Sequence, residues 1–392
     1  MIDFNNTQIA FQYLSNYELI KTYQIYRLIN LNWLVNIGTK TASAMINNGL
    51  KFPVVLGMRP TIYSIFCGGE TLSLTQKKID KLYQYKVHSI LDYGVEAKET
   101  TEDFDKTMST IIDAIQFASK HQAVKQVCSK FTGLIPSAIL KKLHYNIDLS
   151  TAEKKSYQQS IDRINNIAAT AHQHQVSLFI DAEESWYQNP LDDLAYQLML
   201  KYNKDYPLIY NTVQCYLKSR ITYFKNIINK SIENKIIYGV KLVRGAYMEK
   251  EAQYAKQNNT ENPLNSSKAA TDNDYNRALQ IAVENINHVA ICVATHNEES
   301  TALMVQLMKD NKLINNHEHI YFSQLFGMSD NLSFNLAAQD YNATKYMPYG
   351  PVVDVIPYLI RRAQENTAVG GQMGRELQLL KKEIRRRKLW VL

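Results

Sequence analysis

From about residue 85 onward, short runs of β-branched and aromatic residues alternate with longer stretches in which apolar positions recur every three or four residues. Runs of the first kind predict strands and stretches of the second kind predict helices. Eight runs stand out: 87–93, 126–131, 176–182, 208–214, 236–244, 289–295, 320–325 and 344–347. Helical spacing fills the intervals, over 103–121, 153–174, 190–202, 215–232, 275–286, 298–308, 331–339 and 351–366. Eight repeats of strand then helix predict an α/β fold, a (β/α)8 TIM-type barrel over residues 86–370. Residues 1–85 carry helical patterns around Leu19, Tyr23, Tyr26 and Trp33 and a turn at Cys67-Gly-Gly-Glu70, which predicts an N-terminal helical arm. A basic tail over 371–392 closes the chain. The competing fold, a doubly wound open sheet, would place a glycine-rich turn after its first strand. The nearest candidate, Gly370-Gly-Gln-Met-Gly374, follows a helix and reads as a cap and loop.

Composition narrows the class. The 392 residues are 45% hydrophobic and 21% charged, the balance of a globular chain with a large core. Lys and Arg total 44 against 37 Asp and Glu, a mild net charge of +7 concentrated only in Lys381-Lys-Glu-Ile-Arg385-Arg-Arg-Lys388. Nucleic acid binding needs a denser basic surface than that. Cys67, Cys128, Cys215 and Cys292 have no CxxC spacing, and three of them sit in strand-like runs, as expected of reduced core residues in a cytoplasmic protein. No signal peptide is expected, and the apolar stretch from Tyr26 to Gly38 is too short and too interrupted to span a bilayer.

In a barrel of this type the chemistry belongs at the C-terminal ends of the strands. The predicted ends carry Lys130, then Asp181-Ala182-Glu183-Glu184, Gln214, Lys241-Leu-Val-Arg244-Gly245-Ala246-Tyr247, Thr295-His296-Asn297, Gln324 with Gly327-Met328, and Tyr346-Met-Pro-Tyr-Gly350. Any one of these could simply cap the next helix. Lys130 and Lys241 differ, because a cation that closes an apolar run must be paired or functional. On the last predicted helix, Tyr358, Arg361, Arg362 and Glu365 fall at i, i+3, i+4 and i+7, so a ring, two guanidiniums and a carboxylate share one face. Paired arginines grip a carboxylate bidentately, and a neighbouring Glu orients them. That face suits an amino acid zwitterion. No HExxH, Cys/His pair, Walker loop or GxSxG elbow is present, so a metal-free site is expected. Cations and amides at strand ends also suit a large anionic cofactor.

These residues fall into motifs that resemble the proline dehydrogenase family: Ser129-Lys130-Phe-Thr-Gly133, Phe179-Ile-Asp181-Ala-Glu183, Val213-Gln214-Cys-Tyr216, Lys241-Leu-Val-Arg-Gly-Ala-Tyr247, Ala294-Thr-His-Asn297, Gln324-Leu-Phe-Gly-Met328, Tyr346-Met-Pro-Tyr-Gly350 and Tyr358 to Asn366. The resemblance implies FAD-dependent oxidation of L-proline to Δ1-pyrroline-5-carboxylate by hydride transfer from proline C5 to flavin N5. The same scaffold on hydroxyproline is the alternative. It implies that Arg361, Arg362 and Lys130 bind the proline carboxylate, that Glu365 and Asp181 fix those cations, and that Tyr247, Tyr346 and Tyr358 wall the ring. Ala182, Gln214, Arg244, Gly245, Ala246, Thr295 and His296 would hold FAD, and Asp181 and Lys241 would be the catalytic pair, with Lys241 near N5. Many bacterial relatives read RLVKGAY where this chain has KLVRGAY, so the two cations are exchanged here. The expected acceptor is a quinone, met by peripheral contact of the basic tail with the inner face of a membrane. The product is expected to pass to a separate pyrroline-5-carboxylate dehydrogenase.

Overall fold

A computed structural model of the chain describes residues 2–31, 38, 41, 44–46, 48–94, 99–368 and 372–389, with the backbone alone described over 361–368 and 372–373. Trp33, Gly370, and residues 390–392 of the predicted tail lie outside the described residues. Each predicted run becomes a strand: β1 His88–Tyr93, β2 Val124–Ser129, β3 Ser177–Ile180, β4 Ile209–Gln214, β5 Tyr238–Val243, β6 Val289–Ala294, β7 Ile320–Leu325 and β8 Ala343–Tyr349. They form a closed parallel barrel in chain order, with β8 paired to β1. All six residues of β4 are buried, as befits strands covered on both faces. At Gly239 of β5 the backbone passes against the Ile209 carbonyl and the Tyr210 ring, where a Cβ would collide.

The helices depart from the predicted pattern in several places. The stretch 215–219 is not helical, and the helix after β4 begins at Arg220. Its backbone is used elsewhere: Asn265 N donates to the Tyr216 carbonyl at 2.8 Å, and Lys218 N to that of Pro263 at 3.0 Å. Two further helices, Ser137–His144 and Met248–Gln257, follow β2 and β5 where no helix is expected. The helix after β3 starts at Ser185, so Pro190 lies inside it rather than at its start.

The chain divides into two compact units, residues 97–323 and residues 1–96 with 324–392. Within the second of these, the arm helices Thr7–Phe11 and Asn16–Ile29 share a core with the helix Gln372–Arg386, through Phe11, Leu19, Tyr26, Leu379, Leu380 and Ile384. Ser15 and Glu18 form a reciprocal capping box that starts the helix Asn16–Ile29. Part of the basic run is neutralised inside this unit. Glu383 is fully buried and pairs with Arg386 and Arg387, and Arg387 also donates to the carbonyls of Phe11 and Leu14, both at 2.7 Å.

On β8, Lys345 is fully buried and meets Asp330 at 2.7 Å, while its ammonium also donates to the Met328 carbonyl. Removing one member of a buried pair leaves the other charge uncompensated, at a cost of about 3–5 kcal/mol. Lys345→Met is therefore expected to lower the unfolding free energy by that amount. Urea titration checks it, and a loss below about 1 kcal/mol, the range of exposed pairs, would contradict the assignment.

Candidate active site

The unit formed by residues 97–323 gathers the strand-end groups around one carboxylate. Asp181 follows β3 and its amide donates to the Ser129 carbonyl at 3.0 Å, so the β2–β3 ladder extends one residue past the strands. One Asp181 oxygen accepts from Lys241, and the other lies 3.7 Å from Lys130. Lys241 projects from the middle of β5, in register with Thr212 of β4 and Cys292 of β6. It is 5% exposed. Burial is the largest influence and by itself would lower the Lys241 pKa, but the Asp181 charge and hydrogen bond, together with Cys128 and Cys292, outweigh it and hold the ammonium above its ordinary value. Lys241 is thus a fixed cation at any physiological pH.

Beside this triad, the turn after β5 and the end of β6 form a second cluster. Arg244 pairs with Asp272, donates to Ser300 Oγ at 2.7 Å and Thr295 Oγ1 at 3.1 Å, and lies 3.9 Å over the Tyr275 ring. Gly245 adopts φ +78°, a left-handed conformation that a side chain would strain. Ala246, Tyr247 and His296 are half-buried. Asn297 turns out to cap the helix Glu298–Asp310, accepting from Ser300 N at 2.8 Å. Gln214 ends β4 and donates to the Glu183 carbonyl at 2.8 Å and to Tyr216 Oη at 2.7 Å. Two buried atoms here, Gln214 Oε1 and Arg244 Nε, have no hydrogen-bond partner among the described residues. Leaving such groups unpaired costs about 1–3 kcal/mol each. A ligand that offers a donor to Gln214 and an anionic acceptor to Arg244 would remove that cost.

The other predicted residues belong to the unit formed by 1–96 and 324–392. Tyr346 lies half-buried on β8, and its carbonyl accepts from Phe326 N at 2.8 Å. Tyr358 is 6% exposed within the hydrophobic core of that unit. The helix Val352–Ala368 exists as its spacing predicts, but the side chains of Arg361, Arg362 and Glu365 lie outside the described residues.

Several participants escape sequence reasoning. Glu183 and Thr132 bind each other beside Asp181, a pairing that the acidic run and the two motifs holding these residues did not reveal. Asp272 and Ser300 hold Arg244 from 28 and 56 residues away, and nothing in the local pattern links them. The helix Met248–Gln257 is fastened by Glu251, whose buried carboxylate accepts from Ser185 N at 2.7 Å and Ser185 Oγ at 2.6 Å, while Tyr254 stacks on Trp186 at 3.9 Å. Acidic residues in its first turn were the available signal. Among the described residues no group of three or more His, Cys, Asp or Glu is placed to hold a metal ion. Nor is any described helix long and apolar enough to cross a membrane.

A family model described as proline dehydrogenase matches residues 75–375. The chain is 32% identical over 94% of its length to a protein of Dictyostelium discoideum named mitochondrial proline dehydrogenase 1, covering 72% of that protein. It is 29% identical over 96% of its length to a Xenopus laevis protein named hydroxyproline dehydrogenase, covering 89% of it. Among solved structures, proline utilization A of Bdellovibrio bacteriovorus superposes with a TM-score of 0.72 at 19% identity, over 90% of this chain and 37% of that one. This last likeness carries the fold, and the chain spans little more than a third of that longer protein.

The Asp181 bridge has a measurable signature. In Asp181→Asn, Lys241 is buried without a counter-charge and its pKa falls below the unfolded value. The unfolded chain then binds a proton that the folded one does not, so stability rises with pH. In the native protein the raised Lys241 pKa has the opposite sign: its contribution is fully present below the unfolded value and fades only in alkali. Urea midpoints of Asp181→Asn should climb between pH 6 and pH 9 relative to the unmodified protein, and a flat difference would overturn the pairing.

Proposed function

The chain belongs to the proline dehydrogenase family, and from that premise we propose how its residues serve the reaction. The activity is the oxidation of L-proline to Δ1-pyrroline-5-carboxylate, an oxidation of a CH–NH unit. The observation that supports the residue assignment is the bridge of Asp181 between Lys130 and Lys241. Lys130 is the partly exposed arm of that bridge, a donor suited to the substrate carboxylate, while the buried arm Lys241 holds Asp181 in place. Since Lys241 stays an ammonium, it cannot take the proton that the proline amine must lose. Its role is that of a fixed positive charge beside the reacting atoms. Arg361 and Arg362, with Glu365, are assigned to the carboxylate by their spacing and by the family resemblance. Tyr247, Tyr346 and Tyr358 are assigned to the walls of the ring pocket on the same ground.

The cofactor assigned is FAD. The unpartnered Gln214 Oε1 and Arg244 Nε fit a ligand with ring N–H donors and an anionic pyrophosphate, and Ala182, Gly245, Ala246, Thr295 and His296 complete the set. When bound, FAD supplies the hydride acceptor for proline C5. The chain's own part is to clamp the zwitterion so that transfer becomes a positioned, effectively unimolecular step, and to exclude water from it.

Hydroxyproline is the second reading, favoured by the likeness to the Xenopus laevis protein. Tyr346 argues for proline, because a bulky ring wall leaves less room for a hydroxyl. We further assign a quinone as acceptor and a separate dehydrogenase as consumer of the product. Any contact with an anionic membrane at the inner face falls to the exposed Lys381, Arg385 and Lys388, because the apolar face of the helix Gln372–Arg386 is buried.

Purified protein is expected to be yellow and to bleach on anaerobic addition of L-proline, with a higher kcat/KM for L-proline than for 4-hydroxyproline. Colourless protein that turns over proline would reject the flavin, and a reversed preference would favour the second reading. Lys130→Met, Arg361→Met and Arg362→Met should each raise KM for proline by about 10- to 100-fold, the size of one charge-assisted hydrogen bond, with FAD retained. Loss of FAD at unchanged KM would assign those cations to the cofactor instead. Pelleting with anionic vesicles should weaken in Lys381→Glu/Arg385→Glu, and unchanged pelleting removes the membrane assignment.

A further inference from the structure

Past the end of the β2–β3 ladder, the two segments stay aligned through side chains. The last backbone bond runs from Asp181 N to the Ser129 carbonyl. One residue further on β2 comes Lys130, facing Asp181, and two residues beyond each of these come Thr132 and Glu183. Glu183 Oε1 accepts from Thr132 N at 3.0 Å and Oε2 from Thr132 Oγ1 at 2.5 Å. The result is a ladder with two rungs, Lys130–Asp181 and Thr132–Glu183.

The second rung is an expensive one. Glu183 is 4% exposed, and the hydrogen-bond partners of its carboxylate are both on Thr132, an uncharged residue. Burial pushes its pKa up to about 7, against the pull of the two Thr132 bonds and of Lys130, with Glu184 adding to the rise. A carboxylate placed there for packing alone would be a poor choice. Its main chain is pinned as well: its N–H donates to Gln188 Oε1 at 3.0 Å and its carbonyl accepts from Gln214. Gln188 in turn donates to Asp192 at 2.9 Å, which holds Arg220 through two further bonds. Glu183 is therefore a rigid post. What it grips is a single turn, Phe131–Gly133, closed by Gly133 N donating to the Lys130 carbonyl at 3.1 Å and Leu134 N to the Phe131 carbonyl at 2.9 Å.

We propose that Glu183 is a positioning residue that, by holding Thr132, sets the place of the Lys130 ammonium opposite Asp181. The inference rests on the reading of Lys130 as a ligand of the substrate carboxylate. Small displacements of a positioned group cost large factors in rate or affinity.

The test is steady-state kinetics of the FAD-loaded enzyme with L-proline. Glu183→Ala is expected to raise KM about 10-fold while kcat stays within about 3-fold and FAD content is unchanged. Glu183→Gln keeps an acceptor for Thr132 N and an amide for Oγ1, and should stay within about 3-fold of the unmodified enzyme. Thr132→Val should raise KM several-fold, and Thr132→Ser, which keeps both donors, should not. An unchanged KM in Glu183→Ala would overturn the proposal, as would equal impairment of Glu183→Gln and Glu183→Ala, or indistinguishable Thr132→Val and Thr132→Ser. Should Glu183→Ala fail to fold, the Thr132 pair decides. Lys130→Met separates the two claims: a normal KM there sinks the reading of Lys130, whereas a raised KM beside a normal one in Glu183→Ala and Thr132→Val sinks only the role of Glu183.

Discussion

Three strands meet through the carboxylate of Asp181, which faces Lys241 from β5 and Lys130 from the end of β2. At 5% exposure an unpaired Lys241 would be too costly to keep charged. The ion pair makes a permanent ammonium possible at that depth. It also ties one end of the site to the strand register, since Lys241 is aligned with Thr212 and Cys292 across β4 and β6. Rigid elements of this kind hold charges more precisely than loops can.

Around that centre the unit of residues 97–323 is built by long-range polar contacts rather than by local ones. Asp272 and Ser300 hold Arg244, Glu251 fastens Ser185, and Glu183 holds Thr132. Each is a charged or hydroxylic group that would be costly to bury alone and is made tolerable by a partner 24 to 66 residues away in the chain or by a main-chain donor. Gln214 Oε1 and Arg244 Nε are among the buried atoms of this unit that no such partner answers.

The eight strands were legible because buried parallel strands are apolar on both faces, and runs such as Leu208 to Gln214 or Val289 to Thr295 announce themselves without alternation. Capping chemistry was legible too, as with Asn297 before the helix Glu298–Asp310. The error at 215–219 came from a segment whose spacing is helical but whose carbonyls serve Asn265 and whose amides serve Pro263, a tertiary override of local preference. The short helix Met248–Gln257 was missed because it is held by Glu251 and Trp186 contacts and not by an apolar stripe of its own. The sequence marked Lys130 and Lys241 as unusual and Asp181 as a strand-end carboxylate, but not that the three share one bridge.

By itself, then, the sequence determined the order and number of the strands and, through its motifs, the family and reaction. Those features are written in local periodicity and in residue types that apolar runs do not otherwise tolerate. Only the tertiary structure decided who partners whom: that Asp181 serves two lysines, that Arg244 is held by Asp272 and Ser300, and that Glu183 stands on Thr132. Pairing energies depend on distance and burial, and neither is a property of a position in the chain until the barrel has closed.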